Sequence, residues 1–130
     1  EASAREADLI CSAIGCKEPI IRGEWLKPGT HVDLIGAYTA DMREADDECL
    51  RRCSLFVDAR ETTIHHNGDL IIPLASGAIS EADVLADFSE LCQQRHPGRQ
   101  SDDEITVFKN GGGGHLELMC ARILHQNSQA

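Results

Sequence analysis

Four short runs along the chain are apolar at most positions and rich in β-branched residues: 9–14 (LICSAI), 31–37 (HVDLIGA), 55–59 (LFVDA) and 105–108 (ITVF). Polar or glycine-containing turns bound each run, which is how strands covered on both faces read. Helical patterns lie between them. Asp41 followed by Glu44 predicts a capping box, after which Ala45, Cys49, Leu50 and Cys53 form one apolar stripe. That helix carries an acidic first turn and ends on Arg51 and Arg52, matching the helix dipole at both ends. Ser80 with Asp83 predicts another helix, with Val84, Leu85, Phe88, Leu91 and Cys92 as its stripe and Pro97-Gly98 as its stop. A last helix follows the glycines at 111–114 and carries Leu116, Met119, Cys120, Ile123 and Leu124 on one side. Segment 69–76 (DLIIPLAS) contains Pro73, which bars a central strand, so it reads as a loop or short helix. Strands alternating with helices predict an α/β fold, with a mostly parallel sheet of three to four strands joined by right-handed crossovers.

Length and charge narrow the class. The 130 residues support one domain. With 12 Lys and Arg against 22 Asp and Glu, the net charge is −10, and an acidic surface without a basic run repels phosphate backbones. Nucleic acid and anionic membrane surfaces are therefore poor partners. No apolar stretch approaches the ~20 residues that cross a bilayer. Residues 1–8 are charged and hold no apolar signal core, and a cytoplasmic setting is expected. The chain opens on Glu1 rather than Met, so it is expected to be a processed product or a piece of something longer. Six irregularly spaced cysteines read as reduced thiols; a Cys2His2 zinc cluster of Cys49, Cys53, His65 and His66 is the alternative.

Candidate chemistry gathers where strands end. The glycine run at 111–114 sits between a strand and a helix, so it is either a plain turn or a place where backbone approaches a cofactor closely. Lys109 and Asn110 precede it at the carboxyl end of a strand, where open α/β sheets bind ligands, and Gly36-Ala37-Tyr38 occupies an equivalent end. Asp58 reads as a catalytic carboxylate or a turn cap. His65 and His66 fall in a polar loop, and neither His31 nor His115 has an identifiable nucleophile partner. The acidic cluster Glu44, Asp46, Asp47 and Glu48 reads as a solvated helix start. The chain has no G-x-G-x-x-G, so within a dinucleotide-binding class it holds only the second half of the sheet.

Four stretches in order, DLICSAIGCKEPIIRGEWLKPGTHVDLIGAYTADMREADDE, LFVDARE, GDLIIPLASGAI and PGRQSDDEITVFKNGGG, resemble the ornithine cyclodeaminase/mu-crystallin family over nearly the whole chain. GEWLKPGTHV, DMRE and ITVFK carry most of that likeness. The resemblance implies a longer, NAD(P)-dependent homodimer, in which a dinucleotide-binding domain is paired with a split substrate and dimerisation domain. It identifies this chain as the C-terminal portion, partial Rossmann-like. Residues 1–110 would be the second half of the dinucleotide domain, and 111–130 a helix returning to the absent domain, less well packed than the others. The glycine turn for the pyrophosphate, the acid for the ribose and the Lys and Arg for the substrate carboxylate would lie outside the chain.

The resemblance also implies site residues. Ser12 and Ile14 fall in a loop beside the nucleotide, where the family often carries Thr. Ile35, Gly36, Ala37 and Tyr38 match the backbone lining the nicotinamide, and Asn110 with substrate-side Gly111 matches the opposite wall. Cyclodeaminases place a catalytic Asp where Tyr38 stands, and a phenol relays a proton poorly near neutral pH. The implied activity is therefore reduction of a cyclic imino acid of the pyrroline-2-carboxylate type. Ornithine cyclodeamination and non-catalytic NADPH and small-ligand binding are the alternatives. The 130 residues alone are expected to be catalytically inert and to bind dinucleotide weakly.

Overall fold

The computed structural model describes residues 1–128; the last two residues of the predicted 111–130 segment lie outside the described residues. Five strands form one parallel sheet: β1 (Leu9–Ser12), β2 (His31–Leu34), β3 (Ser54–Val57), β4 (Val84–Asp87) and β5 (Thr106–Lys109), in the order β1-β2-β5-β3-β4. The helices are α1 (Ala2–Glu6), α2 (Asp47–Arg51), α3 (Arg60–Thr63), α4 (Gly68–Ser76), α5 (Phe88–Cys92) and α6 (Gly114–Ser128). The α/β class and parallel sheet follow the sequence pattern. The number of strands does not, because β4 was expected within a helix.

The physical reason lies in its own alternation. Ser80 and Asp83 do form a capping box, but it closes only the 3-10 turn Glu81–Asp83. Val84 and Ala86 are then buried while Leu85 is exposed, a period of two that pairs with β3. The helix begins later, where Asp87 and Glu90 make a second capping box at the start of α5. The helix expected from Asp41 also begins later: Asp46 caps α2, its Oδ1 accepting from the Cys49 amide at 2.8 Å and from the Gly23 amide at 2.9 Å. Segment 69–76 lies within α4, where Asn67 caps the start and Gly77, in the left-handed region, ends it. Pro73 forfeits only the bond to the Asp69 carbonyl.

Register fixes which residues share a face. Ile10, Val32, Val107 and Leu55 align across the sheet, and so do Ser12, Leu34, Lys109 and Val57. This face packs under α2 and α4 and holds the core, with Val32, Leu34, Leu55, Val57, Leu70 and Val107 fully buried. The other face carries His31, Asp33, Thr106, Phe108 and Phe56. It is only partly covered, so β2 alternates between buried and half-buried where two covered faces were expected. α6 lies over this face near Phe88 and Phe108 and, like α1 and α5, buries no residue; Ile123 and Leu124 are exposed. β1 has no strand on its outer side among the described residues.

Candidate functional site

The last core-facing residues of β1 and β5, the first strand and the central one, are polar. Ser12 and Lys109 flank Leu34 at the carboxyl edge of the sheet, and both are buried. A lysine at a core position needs partners, and the chain supplies them from three directions. Lys109 Nζ donates to the Leu34 carbonyl at 3.2 Å and the Ala37 carbonyl at 2.9 Å. It also lies 3.2 Å from Asp69 Oδ2 and 3.6 Å from Glu44 Oε2. The Asp69 contact is an ion pair outside hydrogen-bond geometry. Burial pushes the Asp69 carboxyl above its ordinary range, opposed by Lys109.

Glu44 reverses an expectation. Read as part of a solvated acidic helix start, it is instead fully buried and precedes the helix altogether. Its Oε1 accepts from Ser12 Oγ at 2.6 Å and the Ile14 amide at 2.9 Å. Its Oε2 accepts from the Gly36 and Ala37 amides at 2.7 and 3.1 Å. Its own amide donates to Asp69 Oδ1 at 2.7 Å. Asn67 Nδ2 donates to the Ala37 carbonyl, adding α4 to the same cluster. The loops after β1 and β2 pack so closely that a Cβ on Gly36 would overlap the Ile14 amide.

A third buried carboxylate, Asp58, serves the neighbouring strand end. Asp58 Oδ1 accepts from the Ala59 amide at 2.8 Å and from the Thr63 hydroxyl, and Oδ2 accepts from the Gly113 amide at 3.2 Å. Asp58 is therefore a turn cap. Gly111 faces Thr63, whose hydroxyl occupies the space a Cβ would need. Asn110 Oδ1 takes the Gly112 amide at 2.8 Å.

Together the ends of β1, β2 and β5 bring all eight sequence-predicted site residues to one edge. Ser12 and Ala37 turn inward to Glu44 and are buried, whereas Ile14, Ile35 and Tyr38 project outward, Tyr38 at 69% exposure. Asn110 and Gly111 are half-buried at the next strand end. The edge is an open wall of backbone and apolar side chains, while more recessed grooves lie elsewhere. One of about 280 Å³ lies at the amino ends of the strands beside His31, Arg99 and Thr106. Because Glu44, Asp69 and Lys109 are buried behind it with internal partners, the wall can orient an apolar ring but presents no acid–base pair at its surface.

The remaining candidates are dispersed. Burial pushes the Cys49 thiol well above its ordinary value and Cys53 up to about 12, while His65 and His66 are exposed, so the zinc alternative is not assembled. Among the described residues no group of three or more His, Cys, Asp or Glu is placed to hold a metal, and no helix is long and apolar enough to cross a membrane. Sequence reasoning missed Glu44 and Asp69. The available signal was Lys109 itself, a cation ending an otherwise apolar strand.

A parallel sheet whose clustered loops lie at its carboxyl edge is the architecture of nucleotide-binding α/β proteins. The ornithine cyclodeaminase/mu-crystallin family model matches residues 1–130, and the chain belongs to that family. It is 57% identical over 123 residues to a Delta(1)-pyrroline-2-carboxylate reductase of Paracoccus denitrificans, covering 95% of this chain and 39% of the relative. Among solved structures, the Delta(1)-pyrroline-2-carboxylate reductase of Thermococcus litoralis in complex with NADH and L-proline matches with a TM-score of 0.83 at 34% identity, over 85% of this chain and 34% of that one. An archaeal alanine dehydrogenase dimer with bound NAD matches with a TM-score of 0.82 at 29% identity, over 97% and 40% respectively. The chain thus spans between about one third and two fifths of the length of these relatives.

Proposed function

We propose that this chain is the C-terminal part of an NAD(P)H-dependent reductase of cyclic imino acids of the pyrroline-2-carboxylate type. The observation that carries the reading is the 57% identity to a reductase of that substrate across 95% of the chain. Residues 1–110 contribute the second half of the dinucleotide-binding sheet. Residues 111–130 run toward a substrate and dimerisation domain, for which the exposed apolar side chains of α6 are suited. The intact protein is a cytoplasmic homodimer in this reading, and the dimeric alanine dehydrogenase relative supports the pairing.

The carboxyl edge fits a nicotinamide. Gly36 and Gly111 let their loops close against the Ile14 backbone and Thr63, and Ile14, Ile35 and Tyr38 offer an apolar surface that keeps water from one face of the ring. Asn110 and Gly111 form the opposite wall. Bound there, NAD(P)H would supply a hydride to the imine carbon, and a proton from solvent or from groups outside these residues would complete the amine of the amino-acid product. The pyrophosphate turn and the groups for the substrate carboxylate come from outside these residues. Tyr38, where cyclodeaminases carry Asp, favours reduction over ornithine cyclisation.

The test is an assay of the full-length protein with NADH or NADPH and 1-pyrroline-2-carboxylate, beside ornithine with NAD+. Nucleotide oxidation that depends on the imine, with proline as product, is expected. Ammonia and proline from ornithine at a comparable rate would move the reading to the cyclodeaminase. Nucleotide binding without turnover of any cyclic imine would move it to the non-catalytic binder.

A further inference from the structure

Glu44 lies outside every helix and strand, yet both its oxygens are fully engaged by groups from two separate loops. Ser12 and Ile14 come from the end of β1, Gly36 and Ala37 from the end of β2, and the side chains flanking these donors are the exposed Ile14, Ile35 and Tyr38. We propose that Glu44 is the positioning residue of the nicotinamide-facing wall: one buried carboxylate ties the two loops together and fixes how they face the ring. The inference rests on the dinucleotide reading above, and Glu44 itself touches no ligand.

The chemistry requires a carboxylate. Four donors converge on the two oxygens, two on each, so an amide in either orientation turns its NH2 toward a pair of donors. One of the two loops must then withdraw. Lys109 sets the height of the carboxylate from below, 3.6 Å from Oε2, while it holds the Leu34 and Ala37 carbonyls of the same loop. Glu44→Gln leaves one ammonium against one carboxylate, Lys109 with Asp69, so the buried cluster loses its surplus negative charge. A strut with a purely structural role would weaken every part of the nucleotide site alike. A positioning residue weakens only what meets the nicotinamide.

The experiment compares NADH with ADP-ribose, which lacks the nicotinamide, in the full-length protein. Glu44→Gln is expected to weaken NADH binding about tenfold or more and abolish the fluorescence enhancement of bound reduced nicotinamide, with ADP-ribose affinity within about twofold of the parent. Ser12→Ala, which removes one of the four donors and leaves the charges intact, is expected to act in the same direction by a few-fold. It carries the test if Glu44→Gln does not fold. Equal losses for the two nucleotides, or no loss for either, would overturn the positioning role while leaving the dinucleotide reading intact. Failure of the unaltered protein to bind either nucleotide would overturn both.

Discussion

Two buried carboxylates anchor the same sheet edge in different ways. Glu44 joins two loops through four hydrogen bonds of 2.6–3.1 Å and has Lys109 beneath it. Asp58 spends one oxygen on its own turn and reaches the glycine turn through a single bond of 3.2 Å, with no cation in the cluster. Beyond that bond Gly112 stands at φ 87° with open space where a side chain would be. One wall is overdetermined by redundant bonds to its carboxylate, and the other is tied to its carboxylate by a single one. In the dinucleotide reading, a firmly tied loop pair and a lightly tied glycine turn suit a site that holds one ring in place while the group opposite it changes.

The largest expected effect comes from removing the cation on the rigid side. Lys109→Met leaves Glu44 and Asp69 buried together without a countercharge and should cost about 3–5 kcal/mol by urea denaturation at pH 7. A loss below about 1 kcal/mol would mean that the backbone amides alone carry these carboxylates. On the tethered side, Asp58→Ala should cost about 1–3 kcal/mol and speed hydrogen exchange at Gly111–Gly113, with Gly36 and Ala37 as protected as before. Faster exchange at both places would erase the distinction between the walls.

The smallest effect depends on pH. Burial raises the Asp69 carboxyl in the folded chain, so its ionised form carries a penalty at neutral pH. That penalty is relieved as pH falls through the raised folded value toward the ordinary 3.8. The stability of the parent relative to Asp69→Asn should therefore rise on acidification across that window. A difference that falls would show that Lys109 outweighs burial.

The sequence made the scaffold more legible than the anchors. β1, β2, β3 and β5 are short β-branched runs, and a parallel sheet follows from their spacing. Val84-Leu85-Ala86 was obscured because the capping box of Ser80 and Asp83 ahead of it is real and merely ends after one turn. The acidic run from Glu44 to Glu48 looks uniformly solvated, because nothing local distinguishes a carboxylate that faces a lysine 65 residues later. Tertiary pairing decided that, through the register that sets Lys109 beside Leu34. Asp69 was hidden in the same way, ahead of an apolar helix. The loop positions Ile35 to Tyr38 and Asn110 to Gly111 came from family resemblance joined to the rule that ligands meet the carboxyl ends of strands.

The most direct test of the central claim is where NADH perturbs the backbone. Amide chemical shifts of the full-length protein, followed as NADH is added, should move most at Ile35–Tyr38 and at Asn110–Gly111 within this segment, with Gly36 and Ala37 prominent. Shifts concentrated at His31, Arg99 and Thr106, at the opposite ends of the same strands, would contradict it and place the ligand in the groove there.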